Sequence, residues 1–316
     1  MGILMAYGYF QKINIGVFPL AQMMYPAAAV VLAKFVTEKD NLMLPKTFFK
    51  IILGITGVLI GIAIVSIVFP TQGEVWETAS NAVCMAMTLL LFFPSLFFED
   101  VKKRKAFGLK YLKIKQSVLC IAVYIILYSF RLVFLFILEG RNGVEILKIH
   151  FEKSEIWLGL ISLPLNFLLT ASVFFGEEYG WRYYLQPILQ RRFGLRRGVI
   201  FLGIIWGMWH LPLNLFYYNS LDGAMQSIIT QVGTCIGMGI FFGWAYMKTN
   251  NIWVPVILHF LHNSRLGIFG FEELQKVSVV AKNSWTDAWI SVLTTFLCFG
   301  FFLFGKEFLH KKEFSN

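Results

Sequence analysis

Residues 157–191 read WLGLISLPLNFLLTASVFFGEEYGWRYYLQPILQR. From Trp157 to Gly176 no side chain is charged, and a run of that length forms a helix long enough to cross a hydrocarbon core of about 30 Å. Glu177, Glu178 and Arg182 then arrive together. An ionisable side chain at the centre of a membrane helix costs about 2.5–3.5 kcal/mol on insertion scales. It persists only when it is paired, faces a wet cavity or works. The stretch therefore sets two expectations: a membrane-spanning helical fold, and a polar site buried within it.

The rest of the chain agrees with the first expectation. Of 316 residues, 57% are hydrophobic and 15% charged, against about 25% charged in a soluble domain, so the polar side chains are too few to cover a water-facing surface. Apolar runs predict spans at about 17–36, 49–69, 79–98, 116–138, 157–186, 198–217, 224–247, 251–269 and 286–305. The apolar start at 3–10 could add a half-helix. We expect an all-α, polytopic transmembrane bundle of about 8–9 spans with a buried catalytic cavity. It forms one membrane domain over 1–316, with N-terminal helices in 1–155, a catalytic core in 156–269 and a last transmembrane helix at 286–305.

The opening MGILMAYGYF has no basic n-region and no small-residue cleavage site, so it does not read as a signal peptide. Ala6 also breaks the myristoylation pattern. Cys84, Cys120, Cys235 and Cys298 lie far apart in apolar segments, which argues against a disulfide framework or a zinc finger. The net charge of +10 is not a nucleic-acid signal, because the basic residues sit between the apolar runs. Lys34–Lys50, Lys102–Lys115, Arg182 with Arg191–Arg197, Lys248 and the Lys306/Lys311/Lys312 tail together hold 20 of them. The alternate segments, with Lys12, Arg141, Lys148, Lys153, Lys276 and Lys282, hold six. Arg131 and Arg265 fall within spans. That bias predicts a multi-pass protein of a cell membrane, in bacteria the cytoplasmic membrane, with the N-terminus outside and the C-terminus inside. Gly233, Gly237, Gly239 and Gly243 give two GxxxG spacings, read as close packing within the bundle or, failing that, dimerisation.

Costly polar residues gather in three places. In Gly176–Arg182, adjacent Glu177 and Glu178 point about 100° apart on a helix. Glu178 and Arg182, four apart, share a face and can pair, which leaves Glu177 to aim elsewhere as a candidate general base. In Trp206–Pro212, His210 is the ionisable residue of its span. In His259–Asn263, His259 and Asn263 share a face; both can donate to a developing oxyanion, with His262 beside them. Each cluster alone could be structural: an ion pair, a bonded imidazole, interhelical glue. Their joint occurrence on three spans favours a site. Depth tests this, since His210 is 13 residues past Arg197 and His259 is 11 past Lys248, about 20 Å and 16 Å at the helical rise. Glu177 reaches the same level only if its helix continues from Tyr179 to Gln190 towards Arg191, with a kink at Gly180 or Pro187.

GEEYGWR resembles the EExxxR motif, WGMWHLP the FxxxH motif and HFLHN the HxxxN motif of the CAAX protease and bacteriocin-processing (Abi) family of intramembrane endopeptidases. The resemblance covers about 160–265. It implies peptide-bond hydrolysis with Glu177 as main base, His210 holding and activating water, His259 and Asn263 as oxyanion site, and Glu178 and Arg182 in support. Trp206 stands where the motif has Phe, so an aromatic wedge is kept while the cavity is open to reshaping. His262 is a further supporting residue. The preferred scheme uses no cofactor. Glu177, His210 and His259 could alternatively form a two-His, one-carboxylate zinc site, though no HExxH helix is present. The expected partners are the lipid bilayer and a membrane-associated peptide or protein substrate, with no nucleic acid. Two other readings stay open: a transporter or ion-handling protein, since buried ionisable residues also mark ion paths, and a catalytically idle scaffold or bacteriocin immunity protein.

Overall fold

In hydrocarbon every backbone N–H and C=O must find a partner inside the protein, so long apolar runs of this kind close on themselves as helices. The computed structural model describes residues 1–138, 140–153, 155–265 and 284–309, and among these there is no strand. Its helices are α1 (Gly2–Phe10), α2 (Phe18–Thr37), α3 (Lys46–Val68), α4 (Val75–Met87), α5 (Phe93–Phe97), α6 (Val101–Ala106), α7 (Ile114–Leu138) and α8 (Arg141–Phe151). They continue as α9 (Glu155–Glu178), α10 (Gln186–Phe193), α11 (Leu195–Trp209), α12 (Leu211–Phe216), α13 (Ala224–Thr249), α14 (Trp253–Asn263) and α15 (Trp285–Phe299). Turns of π-helix at Thr88–Phe92 and Tyr179–Leu185 join α4 to α5 and α9 to α10. Eight of the resulting rods are long and apolar enough to cross a membrane.

Two features differ from, or sharpen, the expected set. The apolar start is the short helix α1, whose Met5 packs with Phe18, Ile67 and Leu213. The expected span 251–269 is described only as far as 265, and there it is an 11-residue helix. At about 1.5 Å per residue α14 covers roughly half of a 30 Å core. Trp253, Val254, Pro255, Val256, Leu258, His259, Phe260 and Leu261 are all buried, so this short helix is enclosed by protein. The sequence reads it as a full span because a helix wholly inside a bundle is as apolar as one that meets lipid. Residues 266–269, Lys276, Lys282, Lys311 and Lys312 lie outside the described residues.

The basic segments share one end of the bundle. Lys113 Nζ donates to the Lys248 carbonyl at 3.0 Å, and Asn251 Nδ2 and Trp253 Nε1 donate to the carbonyls of Leu112 and Leu109. Arg196 Nε donates to the Leu303 carbonyl, and Lys248 pairs with Glu307 at 3.0 Å. The four GxxxG glycines are used within the chain: Gly233 and Gly237 receive Val292 and Thr295 of α15, while Gly239 and Gly243 receive Gly203 and Val199 of α11. This is the packing reading of the pattern.

Candidate active site

The rod from Ile156 to Phe193 is continuous over 38 residues, so the helix does run past the double glutamate towards Arg191. Its irregular turn starts at Tyr179, directly after Glu178, and ends before Pro187 at the start of α10. A π-turn inserts one residue into the helical repeat and re-aims the side chains that follow it. Gly176 and Gly180 bring this turn against α2. A Cβ on Gly180 would lie 2.3 Å from Pro26 Cβ, and one on Gly176 would lie 2.6 Å from the Met23 carbonyl oxygen.

Glu178 is fully buried and shared by Arg182 and His259. Arg182 Nε lies 3.2 Å from its Oε2, and His259 Nδ1 lies 2.8 Å from its Oε1. The expected Glu178–Arg182 pair is present, and the carboxylate also reaches across to α14. A carboxylate on one imidazole nitrogen fixes the ring's orientation and leaves Nε2 as the atom that faces outward from the pair. The Arg182 guanidinium in turn lies 4.4 Å from the Trp206 ring centre and 5.2 Å from that of Phe242, where aromatic faces take up the charge that water would otherwise solvate.

Glu177, 2% exposed, uses the other direction. Its Oε2 accepts from Trp206 Nε1 at 2.7 Å and from Trp181 Nε1 at 3.2 Å. Both bonds land on one oxygen, Oε2. His210 closes α11 and precedes α12, where Pro212 begins a new helix. Its Nδ1 meets the Trp206 carbonyl at 2.8 Å, and its own carbonyl accepts from Asn214 Nδ2, whose Oδ1 takes the Ser227 hydroxyl. Gln22 of α2 caps the Trp209 carbonyl at the same break. The Trp206 ring stands edge-on to His259 at 5.4 Å and to His210 at 6.2 Å.

Glu177, Glu178, Arg182, Trp206, His210 and His259 are thus gathered through shared contacts. Asn263 lies exposed at the last turn of α14, and His262 is half-buried with its ring 5.2 Å from Tyr128. Among the described residues no three His, Cys, Asp or Glu side chains converge to hold a metal ion. Glu177, His210 and His259, the alternative zinc set, do not form such a group. Sequence reasoning passed over Trp181, although its place four residues after Glu177 puts the two on one helical face. It also treated Trp206 as a wedge rather than a donor.

Residues 157–265 match the model of the family described as Type II CAAX prenyl endopeptidase Rce1-like. Over that segment the chain is similar to the family. A CAAX prenyl protease 2 of Methanococcus maripaludis is 34% identical over 106 residues, 32% of this chain and 39% of the relative. The alignment thus spans about two fifths of the relative's length. The Rce1-like segment contains all the gathered site residues and stops before the last span, α15; the N-terminal helices that pack around it lie outside the match.

Proposed function

We propose that the chain is an intramembrane endopeptidase in which Glu177 is the general base. The observation that carries this is the split in partners between the two adjacent glutamates: Glu178 is engaged by the guanidinium of Arg182 and the imidazole of His259, while Glu177 accepts two neutral indole N–H donors, both on Oε2. In the reaction we envisage, a water lies between Glu177 Oε1 and the His210 Nε2 edge. Glu177 takes its proton as the hydroxide attacks the peptide carbonyl. His259, braced through Nδ1 by Glu178, and Asn263 donate to the oxyanion. The proton then passes from Glu177 to the leaving amine as the C–N bond breaks. Arg182 touches neither water nor substrate and keeps Glu178 in place.

The substrate class that follows is a peptide segment held at the membrane. The matching family and the prenyl protease relative support that class. The test is a cleavage assay on the full chain in lipid nanodiscs, paired with a comparison of membrane peptides in cells carrying the native chain or Glu177→Gln. Glu177→Gln and His210→Ala should each lower turnover about 100- to 10,000-fold, the usual range for a positioned acid–base group. Cleavage that persists in both variants, with a loss of solute flux instead, would overturn the reading in favour of a transporter.

A further inference from the structure

Trp206 touches Glu177, Arg182, His210 and His259. Its indole N–H donates to Glu177, its ring carries the Arg182 guanidinium, its backbone carbonyl receives His210 Nδ1, and its edge packs on His259. The indole bond to Glu177, at 2.7 Å, is the shorter of the two that reach that carboxylate. A phenylalanine at this position would keep an aromatic face for Arg182 and would leave the backbone carbonyl unchanged. It could not donate. The exchange of Phe for Trp relative to the FxxxH pattern therefore adds one function, a hydrogen bond to a buried carboxylate.

We infer that Trp206 is a positioning residue for Glu177: together with Trp181 it pins one carboxylate oxygen and so fixes where the other points. Three physical effects act together. Two N–H donors on a single oxygen leave the carboxylate little rotation about its terminal torsion, which is otherwise broad. The donors converge from different helices, Trp181 from the π-turn and Trp206 from α11, so the carboxylate also registers those helices against each other. A guanidinium over the indole face draws electron density from the ring and strengthens its N–H as a donor. The titratable or charged groups around this arrangement are Glu178 and Arg182 on the same rod, His210 at the end of α11, Tyr218 after α12, Cys235 on α13 and His259 on α14. Tyr25 of α2 joins through Trp209, whose ring packs on Trp181.

The inference rests on Glu177 being the base, and the test separates the two. Trp206→Phe and the isosteric replacement of Trp206 by 3-benzothienylalanine, which keeps the fused ring and loses the N–H, are made in the full chain in nanodiscs. Two quantities are read. One is the carboxylate infrared band assigned to Glu177 by its loss in Glu177→Gln, measured without substrate. The other is kcat against KM for cleavage of a membrane-anchored peptide. Both replacements should shift the Glu177 band and lower kcat about 10- to 100-fold, the loss of one hydrogen bond to a charged group, with KM nearly unchanged. A native band position and native kcat in the benzothienylalanine protein would overturn the role of Trp206. If the native chain cleaves nothing, the peptidase reading fails, and the band alone decides whether Trp206 holds Glu177.

Discussion

Arg182 is a permanent cation with no exposed surface, and its place in the bundle depends on what surrounds it. Glu178 balances the charge, and the faces of Trp206 and Phe242 replace its hydration. Breaking a buried pair by removing one partner leaves an uncompensated charge, at a cost of about 3–5 kcal/mol. Arg182→Ala should therefore lower the thermal midpoint of the purified protein markedly, and adding Glu178→Gln should recover part of the loss. A melting temperature equal to that of the native protein would show that the pair is not needed to hold the bundle. At this scale the sequence was informative about charge and silent about the indoles. The i, i+4 spacing of Glu178 and Arg182 gives their pairing directly. Trp181 and Trp206 read as apolar residues in apolar runs, and nothing in a linear pattern distinguishes an indole that packs from one that donates.

Among the elements, the π-turn after Glu178 and the half-depth helix α14 decide the site. The turn sits where Gly180 meets Pro26 of α2, with no room for a Cβ. Gly180→Ala should cost about 1–3 kcal/mol through forced backbone shifts, whereas Gly57→Ala in α3, whose added Cβ meets nothing, should be neutral or slightly stabilising. Paired unfolding measurements would separate these, and equal effects at both positions would contradict the close approach. The depth comparison anticipated a helix running through Gly180, because residue counts between polar and basic landmarks carry over to distance along a helix. The π-turn itself was not legible: it depends on how α2 and α9 meet. The enclosure of α14 by protein is not legible for a related reason. Hydropathy records that its neighbours are apolar, and it cannot say whether those neighbours are lipid or protein.

For the molecule as a whole, the contacts at the basic end bind the last spans together. Glu307 accepts from Trp244 Nε1 at 2.7 Å and from Lys248 Nζ at 3.0 Å. Burial pushes its carboxyl up, but its own backbone N–H, Lys248 and Trp244 outweigh that and hold it below the ordinary glutamate value. A depressed folded-state pKa contributes stability that is present above the unfolded value, about 4.3, and is lost as pH falls through the folded one. Trp244 fluorescence should accordingly report a loosening of this end as the pH drops below about 4, and Glu307→Gln should remove that dependence. A transition unchanged by Glu307→Gln would assign it to other carboxylates. The charge bias acts on whole segments, so the individual ties among Lys113, Arg196, Lys248 and Glu307 have no sequence pattern.

The rod that carries Glu177 spans 38 residues, about 57 Å at the helical rise, in a slab of hydrocarbon about 30 Å thick. It has to lean or protrude. Its first half presents Trp157, Leu158, Ile161, Leu165 and Leu168 outward, while its second half is gripped by α2, α11 and α14. Such a rod works like an oar in a rowlock, free in the acyl chains at one end and pivoted at the other. Lipid tail length then sets how far the oar must lean or stand clear of the slab.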